Sequence, residues 1–292
     1  MGWIDYGSKR VIITIDSSLI DETLTDFPVL LYISADSGID SDDVSFVFDE
    51  LTADANRLKI AVTSSDGVTE LYTEIEKWDD ANEKAWLWVK VPSISSTKDT
   101  VLYLYYDIRA SDNRAYVGDV NSFAGEKVWD DNFMLVSHMQ DDPDTSNTRD
   151  STSNNNDGAK TDANEPLQAT SKIGQGQLFD GINDLIAITN AASLNAPTAS
   201  NRLTLEIIIH HTAWGTSQET VLSKDYRQYE LRVNTAAPHH FNAYLGNGTN
   251  YDDYSSGYGL ALNTYYLLQI VVDGTNVMMY VNGDLKSTTG QG

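Results

Sequence analysis

The feature that most constrains the fold is a succession of short strand-like runs separated by turn signals. The runs are rich in Val, Ile, Tyr, Phe, Trp and Thr, and several alternate apolar with polar residues, as half-buried strands do. Strands are predicted at 10–15, 27–33, 44–48, 58–62, 71–78, 84–91, 100–106, 128–129, 133–139, 176–179, 185–189, 203–211, 219–223, 229–233, 240–245, 265–272 and 276–281. Long helix-periodic segments are hard to find, so the sequence predicts an all-β protein.

The chain is long enough for two such units. Its 292 residues exceed one ordinary domain, and the strand pattern loosens between residues 107 and 125. We therefore predict two β-sandwich, jelly-roll-like domains, at residues 1–125 and 126–292. The pairs Asp273-Gly274 and Asn282-Gly283 are tight-turn signals that predict antiparallel pairing in the second domain.

Charge excludes some classes of partner. The chain has 43 acidic and 19 basic residues, which gives a net charge of −24. Nucleic acids and anionic membranes both bind through Lys and Arg, so we expect neither as a partner. Cysteine is absent, so the chain can form no disulfide. No basic stretch followed by an apolar segment marks a signal peptide, and three readings stay open: a cytoplasmic protein, a secreted protein shown without its leader, and a virion component.

A polar tract at residues 140–164 is the candidate cation site. Ca²⁺ takes six to eight oxygen ligands from Asp, Asn and backbone carbonyls. The predicted ligands are the acidic and amide side chains of this tract and of the turn that follows the next strand: Asp141, Asp142, Asp150, Asn154, Asn156, Asp157, Asp180 and Asp184. Asp and Asn are also good turn formers, so a solvated loop without metal is the alternative.

A tyrosine-rich, glycine-rich stretch at residues 244–258 is the candidate ligand site. We predict it to be a loop, in which aromatic rings pack on sugar C–H faces while amides and carboxylates bind hydroxyls. The predicted ligand-binding residues are Tyr244, Asn247, Tyr251, Asp252, Tyr254 and, from a neighbouring segment, Trp214, with Tyr226 and Tyr229 extending the surface. A protein interface and plain packing stay open as alternatives, because tyrosine serves both.

No arrangement of residues predicts catalysis. Glu74 and Glu76 share one face of a predicted strand, but Asp79 follows at the wrong spacing for the paired carboxylates of a glycosidase. We interpret these three as surface carboxylates. The five histidines, His138, His210, His211, His239 and His240, show no metal-ligand spacing, and the chain lacks a nucleophile-elbow motif. The chain is predicted not to be an enzyme.

The second half resembles the concanavalin A-like, laminin G-type family. The resemblance rests on residues 138–142, 150–158, 174–186, 203–209 and 271–283, in the order found in that family. It implies a lectin or glucanase type of sandwich, and many such domains bind Ca²⁺. The first half resembles an uncharacterised β-domain that often precedes such modules in prokaryotic and phage surface proteins. The matching segments are residues 27–31, 44–48, 71–79, 87–92 and 102–106.

The resemblance also bears on the end of the chain and on function. Members of the lectin-like family add strands after the turn at Asn282-Gly283, so the second sandwich is expected to lack its last strands. A shortened sequence and a strand supplied by another chain both explain this. We predict a non-catalytic adhesive module of a virion or cell surface that assembles with itself or with other virion proteins and binds glycan. The alternatives are a carbohydrate-binding module or glycosidase of a secreted protein, and a subunit of a surface filament.

Overall fold

The chain forms two compact units. The computed structural model describes residues 4, 9–161, 164–195, 202–216, 218–225, 228–246 and 249–291. The first unit is Met1–Thr189 and the second is Asn190–Gly292. The predicted domain boundary after residue 125 therefore does not coincide with the boundary of the compact units. Residues 126–189 belong to the first unit, because side chains from this segment are buried against the first unit's strands.

The first unit begins with a sandwich of eight strands. These are β1 Lys9–Ile15, β2 Leu24–Ile33, β3 Ile60–Thr63, β4 Glu70–Leu71, β5 Thr73–Asp79, β6 Lys84–Ile94, β7 Thr100–Tyr106 and β8 Val117–Asp119. One sheet has the order β1-β7-β3-β4 and the other β2-β6-β5-β8. Successive residues of a strand point to opposite faces of its sheet. The buried apolar residues of both sheets form one cluster, so the core lies between the two sheets.

One predicted strand of this unit is wrong. Residues 44–48 were expected to be extended, but the segment contains the helix α1, Phe46–Leu51. Val44, Val47, Phe48 and Leu51 are buried, and their spacing of three, one and three residues is that of one helix face. A second short helix, α2 Phe123–Glu126, follows β8. Three 3₁₀ turns complete this part of the unit, at Ser17–Leu19, Asp54–Asn56 and Asp80–Asn82.

The remainder of the first unit has little regular structure. The strands predicted at 128–129 and 133–139 are absent from the described residues. Short strands follow at β9 Asn147–Thr148, β10 Gly158–Ala159, β11 Leu167–Thr170, β12 Gln175–Leu178 and β13 Ala187–Ile188. They pair as β13-β10-β9 and β11-β12. Side-chain hydrogen bonds, described below, hold this segment together where ladders are short.

The second unit is a sandwich of two four-stranded sheets. A 3₁₀ turn at Ala192–Leu194 precedes the strands β14 Arg202–His210, β15 Glu219–Lys224, β16 Tyr229–Val233, β17 His240–Gly246, β18 Tyr251–Gly259, β19 Tyr265–Asp273, β20 Asn276–Val281 and β21 Asp284–Gly290. One sheet has the order β14-β19-β20-β21 and the other β15-β16-β17-β18. Apolar residues of both sheets form its core. The prediction of an all-β protein built from sandwiches is confirmed.

Two details of this unit differ from expectation. Residues 251–259 form β18 and are not a loop, because they pair with β17 along most of their length. A further strand, β21, follows the Asn282-Gly283 turn and pairs with β20. Within the described part of the chain, no helix is long and apolar enough to cross a membrane.

Candidate functional site

One face of the β15–β18 sheet carries polar and aromatic side chains. In β16 and β17, Leu231, Val233, Phe241, Ala243 and Leu245 point into the core. Because successive residues of a strand point to opposite faces, the residues between them point outward. Cross-strand pairing then places six outward residues side by side, and we call them the polar-aromatic face: Glu230, Arg232, Asn242, Tyr244, Tyr251 and Asp253.

Arg232 lies at the centre of this face. Its guanidinium carbon is 3.6 Å from the centroid of the Tyr244 ring, a cation–π contact. Its Nη2 donates to Glu230 and its Nη1 donates to Gln218. Glu230 also accepts from the Thr220 hydroxyl at 2.8 Å. The arginine is therefore held in place by an aromatic ring on one side and by acceptors on the other.

Two polar atoms of the face have no partner in the described part of the chain. They are Nε of Arg232 and Oδ1 of Asn242, and both are buried. These residues lie directly opposite each other in the β16–β17 register. A buried polar atom without a hydrogen bond is costly, so such atoms call for an explanation. Both atoms are closed off from solvent.

The rim of the face is open. Tyr251 is 47 % exposed, and its ring centroid is 4.9 Å from that of Tyr244. Asp253 is exposed and accepts from the Asn242 amide at 3.1 Å. The structure thus brings together two of the predicted ligand residues, Tyr244 and Tyr251.

The other predicted ligand residues lie elsewhere. Tyr254 is buried in the core, and Asp252 is exposed but alternates with its neighbours and so points away from the polar-aromatic face. The Trp214 ring stacks on His239 at 3.9 Å between centroids and lies 5.1 Å from the His211 ring. Asn247 and Tyr226 are outside the described residues.

The predicted calcium ligands make hydrogen bonds within the protein. Asp150 is fully buried, and its two carboxylate oxygens accept from Val136 N, from Thr152 N and Oγ1, and from Asn156 N. Asp157 accepts from Arg149 at 2.7 Å and from the Asp150 amide. The Asn156 amide donates to the Met134 carbonyl. These contacts fix the segment around Asp150 in place of a regular ladder.

The carboxylate oxygens of the other predicted calcium ligands are also separated from one another. Asp141 accepts from Lys160 and Gln177, while Asp180 and Asp184 accept backbone amides of their own turn. Among the residues that the structure describes, no three His, Cys, Asp or Glu side chains are grouped so that they could hold a metal ion. Calcium binding by these residues and Asp142 stays a prediction.

The first unit contains a buried acidic cluster that the sequence did not predict. Glu74 and Glu76 are 0 % and 4 % exposed, so their interpretation as surface carboxylates is wrong. A β-bulge between Ile75 and Lys77 interrupts the alternation. Imidazole nitrogens of His138 lie 3.0 Å from Glu74 Oε2 and 3.3 Å from Glu76 Oε2. The cluster therefore joins β5 to the irregular segment that follows α2.

Two tryptophans complete this cluster. Trp88 donates its indole N–H to Glu76 at 2.7 Å, and Trp129 donates to Glu74 at 2.9 Å. Burial raises the pKa of Glu76, against the opposing effect of His138. Burial also opposes the charge on His138, but the Glu74 and Glu76 carboxylates outweigh it and raise the pKa of the imidazole. This arrangement stabilises a protonated histidine between two acids.

Solved structures similar to this chain include two carbohydrate-related proteins. The first is domain 4 of AbnA, an extracellular GH43 arabinanase from Geobacillus stearothermophilus in complex with arabinotriose. It is 19 % identical with a TM-score of 0.40, over 54 % of this chain and 75 % of that one. The second is a putative carbohydrate binding protein from Bacteroides ovatus. It is 9 % identical with a TM-score of 0.28, over 96 % of this chain and 65 % of that one.

Two segments of the chain match models of protein families. The comparison with curated proteins gives no match. Residues 54–120 match the model described as a domain of unknown function (DUF2341). Both resemblances predicted from the sequence are confirmed, and the second half, at residues 179–292, matches the concanavalin A-like lectin/glucanases superfamily.

Proposed function

We propose that the second unit binds an uncharged glycan through the polar-aromatic face. The observation that carries this proposal is the exposed rim of the face, where the half-exposed Tyr251 ring, on the strand that also carries the exposed Asp253, lies 4.9 Å from the Tyr244 ring. The match of this half to a superfamily of lectins and glucanases supports the same function.

The chemistry of the face suits a sugar. Tyr244 and Tyr251 offer aromatic surface for the C–H face of a pyranose or furanose ring, and their rings are close enough to act together. A sugar hydroxyl is both a donor and an acceptor, so it can donate a hydrogen bond to the exposed carboxylate of Asp253.

Electrostatics favour an uncharged ligand. The charge of Arg232 is already paired with Glu230, and Asp252 and Asp253 lie on the neighbouring strand. The whole chain carries a net charge of −24, which repels anionic polysaccharides over the distance of encounter. Sulfated and uronic-acid glycans are therefore expected to bind weakly.

We propose binding without hydrolysis. A glycosidase needs two carboxyl groups that flank the scissile bond with different proton affinities. The carboxylates of the face are already engaged, since Glu230 accepts from Thr220 and Arg232 and Asp253 accepts from Asn242. The alternative, a glucanase-type enzyme, uses the same face and is tested separately below.

Binding is tested on a glycan array followed by calorimetric titration with a bound neutral glycan. Replacing Tyr251→Ala or Asp253→Ala should weaken affinity about tenfold or more, which corresponds to about 1.4 kcal/mol. The matched controls are Asp252→Ala, on the same strand with the opposite orientation, and Tyr265→Ala, an exposed tyrosine on β19 of the other sheet. An array without any bound neutral glycan would contradict the proposal.

Hydrolysis is tested by incubating the protein with the same glycan and measuring reducing ends. We expect no release above that of a heat-inactivated sample. If the wild-type protein releases reducing ends, and Glu230→Gln abolishes this release but retains binding, then the protein is an enzyme and the proposal of binding without hydrolysis is wrong.

The finer predictions from the sequence extend this proposal. An adhesive module would act at a virion or cell surface and would assemble with itself or with other surface proteins. Electron microscopy of the virion or surface assembly tests this prediction. We expect the chain to occupy a position that repeats through the assembly. A melting experiment with added Ca²⁺ tests the predicted cofactor, with a rise in melting temperature expected if the cation binds the folded chain.

A further inference from the structure

Lys160 is a buried lysine of the first unit. It contacts the carboxamide of Gln177 and the carboxylate of Asp141, and this carboxylate also contacts the Gln177 carboxamide. The side chain of Lys160 is 1 % exposed. Its Nζ lies 2.5 Å from Asp141 Oδ1, 3.1 Å from Gln177 Oε1 and 3.2 Å from the Pro166 carbonyl oxygen. Buried lysines are rare and are normally paired. This one is paired with an acid, and it also donates to the carboxamide oxygen of Gln177.

The same oxygen of Asp141 bridges the two nitrogens of this group. Oδ1 accepts from Lys160 Nζ at 2.5 Å and from Gln177 Nε2 at 2.8 Å. The Gln177 amide is further held by donation to the Met139 carbonyl at 3.0 Å. One carboxylate oxygen therefore contacts both a nucleophile and the leaving group of an amide, which is the geometry of a single acid–base catalyst.

We propose that Lys160 and Gln177 form an intramolecular isopeptide bond, with Asp141 moving the protons. Asp141 first accepts a proton from the Lys160 ammonium, which leaves a neutral amine. Nζ then attacks Cδ of Gln177, and the C=O electron pair moves to Oε1. Asp141 donates its proton to Nε2 and accepts one from Nζ. The Cδ–Nε2 bond breaks as the carbonyl re-forms, and the departing ammonia takes the remaining proton from Asp141 and leaves as ammonium.

Atoms and charges balance without any co-reactant. An ammonium and a primary amide become a secondary amide and an ammonium ion, and Asp141 ends as it began. Holding the reactants in contact replaces an encounter in solution, which is how proximity accelerates such steps. The bond would join the residue that follows β10 to β12, which are 17 residues apart in the chain.

The cross-link would serve this segment because its regular structure is sparse. β9, β10 and β13 have two residues each, so few ladder hydrogen bonds hold them. The chain has no cysteine and cannot form a disulfide here. A covalent link restricts the unfolded chain in the same way as a disulfide does.

The test is the intact mass of the purified full chain. We expect a mass below that of the sequence by one ammonia, about 17 Da, and a protease digest in which Lys160 and Gln177 occur in one cross-linked peptide. An intact mass equal to the sequence mass would overturn the proposal. A loss of one water, about 18 Da, with Lys160 linked to Asp141, would overturn the choice of electrophile and therefore the proposal.

Variants separate the roles. Lys160→Arg keeps the charge but cannot form the amide, and Asp141→Asn keeps the size but removes the proton acceptor, so both should show the full sequence mass. Lys172→Arg, an exposed lysine between β11 and β12, should still lose ammonia. An ammonia loss that persists in Lys160→Arg would contradict the assignment. The intact mass of the wild-type chain is a sufficient test even if a variant folds less well.

Discussion

Two sheets of this protein carry acidic and aromatic residues on their outer faces, and their surroundings differ. In the first unit, Glu74 and Glu76 on β5 are covered by Trp129 and His138 from the segment after α2. In the second unit, Tyr251 is half exposed and Asp253 is exposed on β18. Similar residue types therefore serve a closed structural cluster in one unit and an open face in the other.

The difference shows what burial requires of a charged group. A carboxylate removed from water needs opposite charge and hydrogen-bond donors, and the first unit supplies an imidazole and two indole N–H groups. The second unit satisfies Glu230 internally but leaves Arg232 Nε and Asn242 Oδ1 without described partners. In the first unit Glu74 Oε1 is likewise buried without a partner among the described residues, so the two places differ in access to solvent: Tyr251 and Asp253 are exposed, whereas Glu74 and Glu76 are buried.

The largest expected effect comes from opening the closed cluster. Replacing His138→Ala removes the cation between Glu74 and Glu76, and breaking a buried pair costs about 3–5 kcal/mol. Urea unfolding followed by tryptophan fluorescence measures this loss. His210→Ala, which removes an exposed histidine of the second unit, is the control and should change stability by less than about 0.5 kcal/mol.

A smaller effect is expected from the centre of the open face. Arg232→Leu leaves Glu230 with Thr220 as its remaining hydrogen-bond partner among the described residues, and leaving a buried acceptor partly satisfied costs about 1–3 kcal/mol. Urea unfolding also measures this loss, in the transition that belongs to the second unit. A cost equal to that of His138→Ala would remove the distinction between the two faces.

The pH dependence should sharpen the comparison further. The pKa of Glu76 is raised above 4.5 and that of His138 above 6.5 in the folded first unit. The folded unit therefore holds protons that the unfolded chain releases, so the contribution of these groups to stability falls as pH rises. The fall begins near pH 4.5 for Glu76 and near pH 6.5 for His138. Unfolding midpoints should decline through this range, and the decline above pH 6.5 should vanish in His138→Ala.

The smallest expected effect is on the stability of the open face's rim. Tyr251→Ala should change the free energy of unfolding by no more than about 0.5 kcal/mol, because the side chain is half exposed. A larger loss would mean that Tyr251 is a packing residue, and a weakened glycan affinity in that variant would then no longer report a direct contact.

Strands were predictable from the sequence wherever alternation was strong. β14, β16, β17, β19 and β20 lie close to their predicted positions, since their apolar residues face a single core. The run at 44–48 misled because a short apolar run fits a strand or a buried helix, and only the periodic extension to Leu51 distinguishes them. β18 was missed because glycine, serine and aspartate favour turns, and pairing with β17 overrides that preference.

Sites were less predictable than strands. Tyr244 and Tyr251 were found by composition, but Arg232 and Asn242 join them only through the register of β16 and β17. The alternation of the charged Glu230 and Arg232 with apolar neighbours was the available signal. Nothing local in the sequence links His138 to Glu74, which lies 64 residues earlier. Such long-range contacts follow from tertiary packing and not from spacing.

The contrast between a closed and an open face is tested most directly by one paired measurement. Glu76→Gln and Asp253→Asn each remove one charge with little change of shape, and both the unfolding midpoint and the affinity for a bound neutral glycan are measured in each variant. We expect Glu76→Gln to change the midpoint and its pH dependence with affinity unchanged, and Asp253→Asn to weaken affinity with the midpoint unchanged. Weakened binding in Glu76→Gln together with unchanged binding in Asp253→Asn would contradict the assignment of the glycan site to the second unit.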